Sequence, residues 1–229
     1  MPSADLATTS LRELNAALHR LAPDSADLHW RVLNPRGEHA IAAGLTAPVT
    51  VEIDGHVGYY CAGMNQRARV VVHGNAGQGV AENMMSGEVR VEGDASQSAG
   101  ASGCGGLLVI DGNAAARCGI SMKGIDIVVK GSVGHLSAFM AQAGNLVVLG
   151  DAGDALGDSI YEARLYVRGS VKSLGADCIA KPLRDQHKGE VHRLLDAAGL
   201  GNQVDVADFH RYGSARRLYH FHIDNVGSY

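Results

Sequence analysis

Four cysteines and two closely spaced histidines are the residues whose types could ligate a metal ion or attack a carbonyl carbon. The histidines form the pair His220-x-His222, which places both imidazoles on one face of a strand. No third ligand is evident beside them, so the sequence predicts no metal site there. Iron–sulfur ligation uses clustered cysteines, whereas these are scattered, without any C-x-x-C pair, at Cys61, Cys104, Cys118 and Cys178.

One glycine motif and one polar stretch are the other candidates for chemistry. Gly74-x-x-Gly77-x-Gly79 has the spacing of a dinucleotide-binding loop, but such a loop opens a helix inside a βαβ unit. Here the same glycine recurs along the chain, which favours a structural role. Residues 82–85 (Glu-Asn-Met-Met) lie near Asn65, His73 and Gln78 in repeat position. They are either ordinary loop residues or the lining of a polar passage.

The recurring glycine belongs to an array with a constant interval of nineteen residues. A β-branched residue stands two positions before each glycine, an aliphatic residue four before, and a small residue seven after. A fixed period of this size indicates one supersecondary unit that is copied and stacked. The seven glycines are Gly55, Gly74, Gly93, Gly112, Gly131, Gly150 and Gly169.

The pattern inside one repeat predicts the fold. Aliphatic and β-branched residues alternate with period two, as in a strand with one buried face. Nineteen residues are too few for a strand and a packed helix, and leucine is too irregular for a leucine-rich solenoid. We therefore predict an all-β solenoid, a right-handed parallel β-helix of about seven 19-residue coils, roughly 34 Å long. The repeated glycine is expected at a corner, with a sharp turn or φ above zero.

Composition agrees with a β-helix and excludes several classes. Glycine accounts for 30 of the residues and proline for only 5, so the excess glycine serves corners rather than disorder. The net charge of −4 gives no basic footprint for nucleic acid. No apolar run is long enough to span a membrane, and the first residues predict no signal peptide. Scattered, reduced cysteines in a mostly apolar core indicate a cytoplasmic protein.

The two ends differ from the array and divide the chain into three regions. Residues 1–49 are interpreted as an N-terminal helix and capping segment, since Ser10 to Glu13 forms a capping box. Residues 50–180 are the β-helix, and residues 181–229 hold a second capping helix from Arg184 to Ala198 and a tail. The tail is either a strand or strap that lies back on the protein's own surface or a docking element for partner chains. Its candidate docking residues are Arg211, Tyr212, Arg216, Arg217, Tyr219 and Phe221.

The array resembles the GXGXG domain, the β-helix at the C-terminus of the glutamate synthase large subunit and in one subunit of formylmethanofuran dehydrogenase. Gly74-Asn-Ala-Gly77 and its copies carry this resemblance. The head and tail are similar to a free-standing form of the domain, the β-helix subunit of N-methylglutamate synthases. The matching segments are residues 31–39, 79–87, 173–177 and 211–219.

The resemblance implies a three-subunit enzyme that makes N-methylglutamate from methylamine and glutamate and releases ammonia. One partner would be a class II glutamine amidotransferase-like subunit, and another an FMN-binding glutamate synthase-like subunit with an iron–sulfur cluster. The β-helix chain would join them, without catalytic residues or a cofactor of its own. An amidotransferase of this class needs an N-terminal cysteine nucleophile, whereas position 2 here is Pro2.

Two other functions fit the sequence. The chain could belong to a formylmethanofuran dehydrogenase or formyltransferase/hydrolase complex, or act as an independent β-helix enzyme or binding module. Neighbouring genes for an amidotransferase and an FMN synthase-like protein would favour the N-methylglutamate synthase subunit. A neighbouring amidohydrolase-like or formyltransferase gene would favour the formylmethanofuran dehydrogenase or formyltransferase/hydrolase complex. Activity of the isolated chain would favour the independent β-helix enzyme or binding module.

Overall fold

The computed structural model describes residues 1–218. Its α-helices are α1 (Leu11–His19) and α2 (Asp185–Ala197), and two short 3-10 helices follow at Gly201–Gln203 and Val206–Asp208. The strands are β1 (Ser3–Asp5), β2 (His29–Leu33), β3 (Thr50–Asp54), β4 (Arg69–Val72), β5 (Glu88–Val91), β6 (Leu107–Ile110), β7 (Lys123–Val129), β8 (Ala143–Val148), β9 (Arg164–Val167), β10 (Cys178–Lys181) and β11 (His210–Ser214).

Strands β3 to β9 stack as neighbours in one parallel sheet, and each of β3 to β8 pairs with the strand nineteen residues further along the chain. Val51 pairs with Val70, which stands next to Val89 and then Leu108. The one irregularity is a register shift between Lys123 and Asp126. The prediction of a parallel β-solenoid of about seven coils is therefore confirmed.

The solenoid core is built from the positions that the periodicity assigns to it. The residues four and two before each glycine are fully buried, as with Val70 and Val72. Two residues after the glycine, a column of small apolar residues forms parallel bridges from coil to coil, beginning with Val57 and Ala76. Both faces of each coil thus contribute to one interior of valine, isoleucine, leucine, alanine and methionine.

Each coil closes through a segment in which every second residue has a left-handed backbone conformation, with φ above zero. In one coil Gly79, Ala81 and Asn83 have φ of 70°, 56° and 56°. The amides of Gly79 and Asn83 donate to the following coil, at Gln97 and Ala101, whereas the Ala81 amide donates to the preceding one. Hydrogen bonding therefore continues between coils where no regular strand exists, which satisfies backbone groups that would otherwise be orphaned.

The repeated glycines form a column after the strands, and each from Gly93 onward donates its amide to the glycine carbonyl below, at 2.9–3.0 Å. Positive φ does not explain them. Of the seven, only Gly55 has φ above zero, at 137°. A Cβ on Gly131 would lie 2.7 Å from the Gly112 carbonyl oxygen, so close backbone approach demands glycine here.

The solenoid begins earlier than residue 50. Strand β2 pairs in parallel with β3 at an offset of twenty-one residues, and β1 pairs with β2. Backbone bonds such as Ala62 N to Ile41 O join residues 38–45 to the next coil. Helix α1 packs Leu14 and Leu18 into the main core. The segment predicted to cover the first coil therefore contains a coil itself, hidden from the periodicity by its different length.

The C-terminal part also departs from the predicted division. Strand β11 lies between β9 and β10 and pairs antiparallel with both. Part of the predicted tail thus supplies a strand of the sheet, as in the alternative of a strand on the protein's own surface. The reason is that β9 would otherwise present an unpaired edge.

Helix α2 lies along the side of the solenoid rather than across its end. Its Val191, Leu194 and Leu195 pack on residues of β6 to β9 that point away from the main core, including Val128 and Tyr166. Near the helix C-terminus, Arg90 Nη1 donates to the Ala198 carbonyl at 3.2 Å, where a cation is favourable. A second hydrophobic core therefore fixes α2 against the outer face of the sheet.

Candidate partner-binding surfaces

A ladder of side-chain acceptors runs beside the glycine column and holds neighbouring coils in register. The residue directly after each of the first six repeat glycines accepts a hydrogen bond from the backbone amide nineteen residues later. Asn75 Oδ1 accepts from Asp94 N at 2.9 Å, and Asp94 Oδ1 accepts from Asn113 N at 2.7 Å. The acceptors are His56, Asn75, Asp94, Asn113, Ser132 and Asp151, and the last amide is that of Ser170.

This ladder was not predicted from the sequence, although its signal is present there. Every residue that follows a repeat glycine carries a short hydrogen-bonding side chain or an imidazole. Such a column can pair outside a regular strand, because side-chain oxygens and an unprotonated imidazole nitrogen accept amide hydrogens. A surface carried by these coils is therefore presented on a fixed backbone.

An aromatic and methionine surface projects from the first coils, at Tyr59, Tyr60, Met64 and Met85. Met64 and Met85 are each about half exposed, at 51% and 52%, and Tyr59 is 50% exposed. Met64 N bonds to Glu82 O, and Met85 N bonds to Asn65 O, so the two methionines stand on adjacent coils. Exposed aromatic and methionine side chains are enriched at protein interfaces. We refer to these four residues as the aromatic–methionine surface.

Ring contacts order one edge of the aromatic–methionine surface. The His39 imidazole stacks on Tyr59 with ring centroids 4.5 Å apart and an interplanar angle of 7°. Tyr60 meets Tyr59 edge-on at 6.5 Å. The Tyr59 amide also donates to His39 Nδ1 at 3.0 Å. These contacts restrict the tyrosine rotamers before any partner arrives, which lowers the entropy lost on binding.

Glu82 gives the aromatic–methionine surface a polar group. Its carboxylate and the Tyr60 ring both approach Gly79, where a Cβ would lie 2.7 Å from Glu82 Oε2 and 2.8 Å from the Tyr60 ring. Burial raises the pKa of Glu82. A desolvated carboxyl next to an exposed tyrosine is a ready acceptor for a donor from a docking chain.

The other residues of the proposed polar passage are mostly structural. Asn65 is buried, and its amide group bonds both to the backbone N–H and to the carbonyl of Ala68. Met84 is fully buried in the core. His73 lies on the outer face of the sheet between Glu52 and Glu92. These residues belong to separate environments, so the structure does not bring them together along one channel.

The cysteines are placed as free thiols. Cys61, Cys118 and Cys178 are buried, and Cys104 is exposed. Burial raises the pKa of Cys61 and of Cys118 to about 12, which keeps both thiols protonated and poorly nucleophilic. Within residues 1–218, no group of three or more His, Cys, Asp or Glu side chains is arranged to hold a metal ion.

The candidate docking residues of the tail have different environments. Arg211 and Tyr212 lie in β11, where Tyr212 packs against the main core. Arg216 is exposed and forms an ion pair with Glu162 at 2.8 Å. Arg217 is exposed, and its amide donates to Asp177. Tyr219, Phe221, His220 and His222 lie outside the described residues.

The exposed tail arginines and the aromatic–methionine surface lie at opposite ends of the sheet. Six strand-to-strand steps separate β3, whose coil carries Met64, from β9, which pairs with β11. At ~4.8 Å per step the separation along the solenoid axis is about 29 Å. Two partners could therefore bind the same rod without competing for space.

Comparison with known proteins gives one full-length relative. The chain is 64% identical over 229 residues to Protein GlxC of Rhizobium meliloti (strain 1021), and the alignment covers 100% of both chains. No protein-family profile matches the chain, and no solved structure matches it. Among the described residues, neither helix is long and apolar enough to cross a membrane.

Proposed function

The chain belongs to the family of Protein GlxC, and from this we infer that it is the scaffold subunit of a glutamate synthase-like complex. Specifically, we propose N-methylglutamate synthase, which converts methylamine and glutamate to N-methylglutamate and ammonia. The chain would join a class II glutamine amidotransferase-like subunit to an FMN-binding synthase-like subunit that carries the iron–sulfur cluster. We also propose that the coils are right-handed.

The separation of two exposed surfaces along one rigid rod is the observation that carries this proposal. Hydrogen bonds continue from coil to coil through the sheet, the polar ladder and the left-handed segments. A rod of this kind resists bending between its ends, because each coil is fixed by its neighbours. A scaffold needs such a body, with chemically different surfaces for two different partners. The glutamate synthase-like repeat and the full-length relative support the same assignment.

Co-purification tests the proposal directly. The tagged chain, expressed in its source at native level, should bring down an amidotransferase-like and an FMN-binding synthase-like protein, identified by mass spectrometry. Isolation with a formyltransferase or an amidohydrolase-like protein would point instead to the alternative complex. Isolation without either set, under conditions that preserve known complexes of the same cell, would contradict a scaffold role.

A matched pair of substitutions tests whether the aromatic–methionine surface is one of the two contacts. Met64 and Met140 occupy the same repeat position four coils apart, and both are exposed. We expect Met64→Ser, combined with Tyr60→Ser, to release one partner, and Met140→Ser, combined with Leu136→Ser at the repeat position of Tyr60, to retain both. Interface side chains that act as hot spots each contribute about 2 kcal/mol or more, which is visible on a sizing column.

A further inference from the structure

A pocket of ≈ 480 Å³ opens at the C-terminal end of the solenoid, where β9, β10, β11 and the start of α2 meet. Five of its lining side chains are cationic and one is acidic, Glu162. The cations come from separate parts of the chain, so the fold rather than a local charge run assembles them. They are Arg164, Lys181, Arg184, Arg211 and Arg216.

Most of this positive charge is not neutralised by the protein. Arg164 pairs with Glu190 at 2.7 Å, and Arg216 pairs with Glu162 at 2.8 Å. Within residues 1–218, Lys181, Arg184 and Arg211 form no ion pair with a carboxylate. Three cations that repel one another around one cavity destabilise the empty state, since a protein surface screens them less than bulk water.

Arg211 contributes a donor that lacks an acceptor. Its Nε is buried and has no hydrogen-bond partner among the described residues. Its Nη1 reaches only the Pro182 carbonyl, at a long 3.4 Å. An unsatisfied buried donor on a charged group is unfavourable and calls for an explanation such as a ligand. Arg211 lines the pocket, and the terminal nitrogens of its guanidinium are suited to bidentate binding of a carboxylate or phosphate.

Helix α2 adds to the positive field through its dipole. The helix is thirteen residues long and begins at Asp185, so the positive end of its dipole lies at the pocket, where Gln186 and His187 line the wall. The pKa of His187 is lowered, chiefly by burial and further by the charges of Arg211 and Arg164. His187 Nδ1 accepts from the Arg184 amide at 3.0 Å, which fits a neutral imidazole. The pocket therefore holds fixed guanidinium charges next to a neutral histidine.

We propose that this pocket is an anion-binding site for a ligand with two or more carboxylate or phosphate groups, held by Arg184, Arg211 and Lys181. A single oxyanion would leave part of the cationic set unpaired, whereas a multivalent anion satisfies it. Such groups occur both on small polycarboxylates and on phosphorylated metabolites. The proposal does not depend on which complex the chain joins.

Isothermal titration calorimetry with the full chain tests the site, using citrate and inorganic pyrophosphate as probes. We expect binding of one anion per chain at moderate salt. Arg184→Gln and Arg211→Gln should each weaken it by about tenfold or more, the effect of losing one charge-assisted hydrogen bond. Arg12→Gln is the matched control, because Arg12 is an exposed arginine on α1, at the other end of the sheet.

The two probes distinguish a carboxylate site from a phosphate site. Binding of citrate alone assigns the site to carboxylates, and binding of pyrophosphate alone assigns it to phosphates. An absence of binding to both probes overturns the proposal. An equal loss in the Arg12→Gln and Arg184→Gln variants also overturns it, because it would reflect net charge rather than a site. Arg184 is exposed, so its substitution keeps the test valid if Arg211→Gln fails to fold.

Discussion

The Asp94 carboxylate occupies the space that a side chain on Gly112 would need. A Cβ at Gly112 would overlap Asp94 Oδ1 and lie 2.7 Å from the Gly93 carbonyl oxygen. Asp94 Oδ1 is held there because it accepts the Asn113 amide at 2.7 Å. Each repeat glycine therefore leaves room for the side-chain acceptor that follows the repeat glycine of the preceding coil.

Replacement of Gly112 by valine should lower the free energy of unfolding by about 1–3 kcal/mol, as overpacking does elsewhere. The valine would displace both Asp94 and the backbone of the preceding coil. Gly189→Ala is the control, since a Cβ there meets no atom within 4 Å and the site is in a helix. We expect this control to be neutral or stabilising by up to ~1 kcal/mol. Equal effects of both substitutions in urea unfolding would contradict the crowding at Gly112.

The polar ladder should contribute stability through single hydrogen bonds. Ser132 Oγ accepts the Asp151 amide at 2.9 Å, so Ser132→Ala removes that acceptor. The expected loss is about 0.5–1.5 kcal/mol. Ser132→Asn retains an acceptor, as Asn75 and Asn113 do at the same repeat position, and should unfold close to wild type. If the alanine and asparagine variants unfold together, the ladder does not stabilise the coils.

Most of the solenoid could be predicted from the sequence because its contacts repeat. The interval between glycines fixes the stacking offset, and the residues two and four before each glycine fix the inward face. The reason for the repeated glycine was harder to predict, because the crowding at Gly112 comes from the side chain of Asp94 in the preceding coil. The polar ladder was open to prediction, since His56, Asn75 and their counterparts all offer acceptors.

Features that do not repeat could not be read from the period. Strand β11 pairs antiparallel with β9 and β10, and this pairing does not follow the nineteen-residue interval, so the spacing does not predict it. Helix α2 has an apolar face, but the face it covers is set by Val128, Val147 and Tyr166, which read as ordinary strand residues. The basic pocket was missed for the same reason, because its cations come from four separate segments.

The His73 network should make stability depend on pH. Its imidazole lies between Glu92 at 2.9 Å and Glu52 at 3.4 Å. The Glu92 hydrogen bond is the largest cause that raises the pKa of His73. A raised folded-state pKa adds stability below the unfolded value of about 6.5, and this stability is lost as the pH rises through the folded-state value.

The corresponding measurement is the urea midpoint from about pH 6 to about pH 8.5. The difference between wild type and His73→Gln should shrink as the pH rises. His135→Gln, at an exposed histidine without an ion pair among the described residues, is the control and should follow wild type in parallel. A difference that stays constant across this range for His73→Gln would contradict the proposed ion pairs.

Truncation should separate the sheet from the proposed docking segment. A chain that ends at residue 204 loses β11, so β9 and β10 lose their shared partner, and we expect weaker β-sheet circular dichroism and a lower melting temperature. From the sequence alone, removal of residues 205–229 is predicted to leave the β-sheet spectrum nearly unchanged and to weaken association with a partner subunit. A chain that ends at residue 218 keeps every described element and should retain the wild-type spectrum. It also removes Tyr219 and Phe221, so any loss of partner binding would then come from the docking segment.

As the proposed scaffold, the chain would be required by two catalytic partners. The most direct measurement is N-methylglutamate formation from methylamine and glutamate by the purified amidotransferase-like and FMN-binding subunits, with and without this chain. We expect turnover only when all three are present, and a loss of turnover when Tyr60→Ser and Met64→Ser release a partner. Equal turnover by the two partners without the chain, or turnover by the chain alone, would contradict the scaffold role.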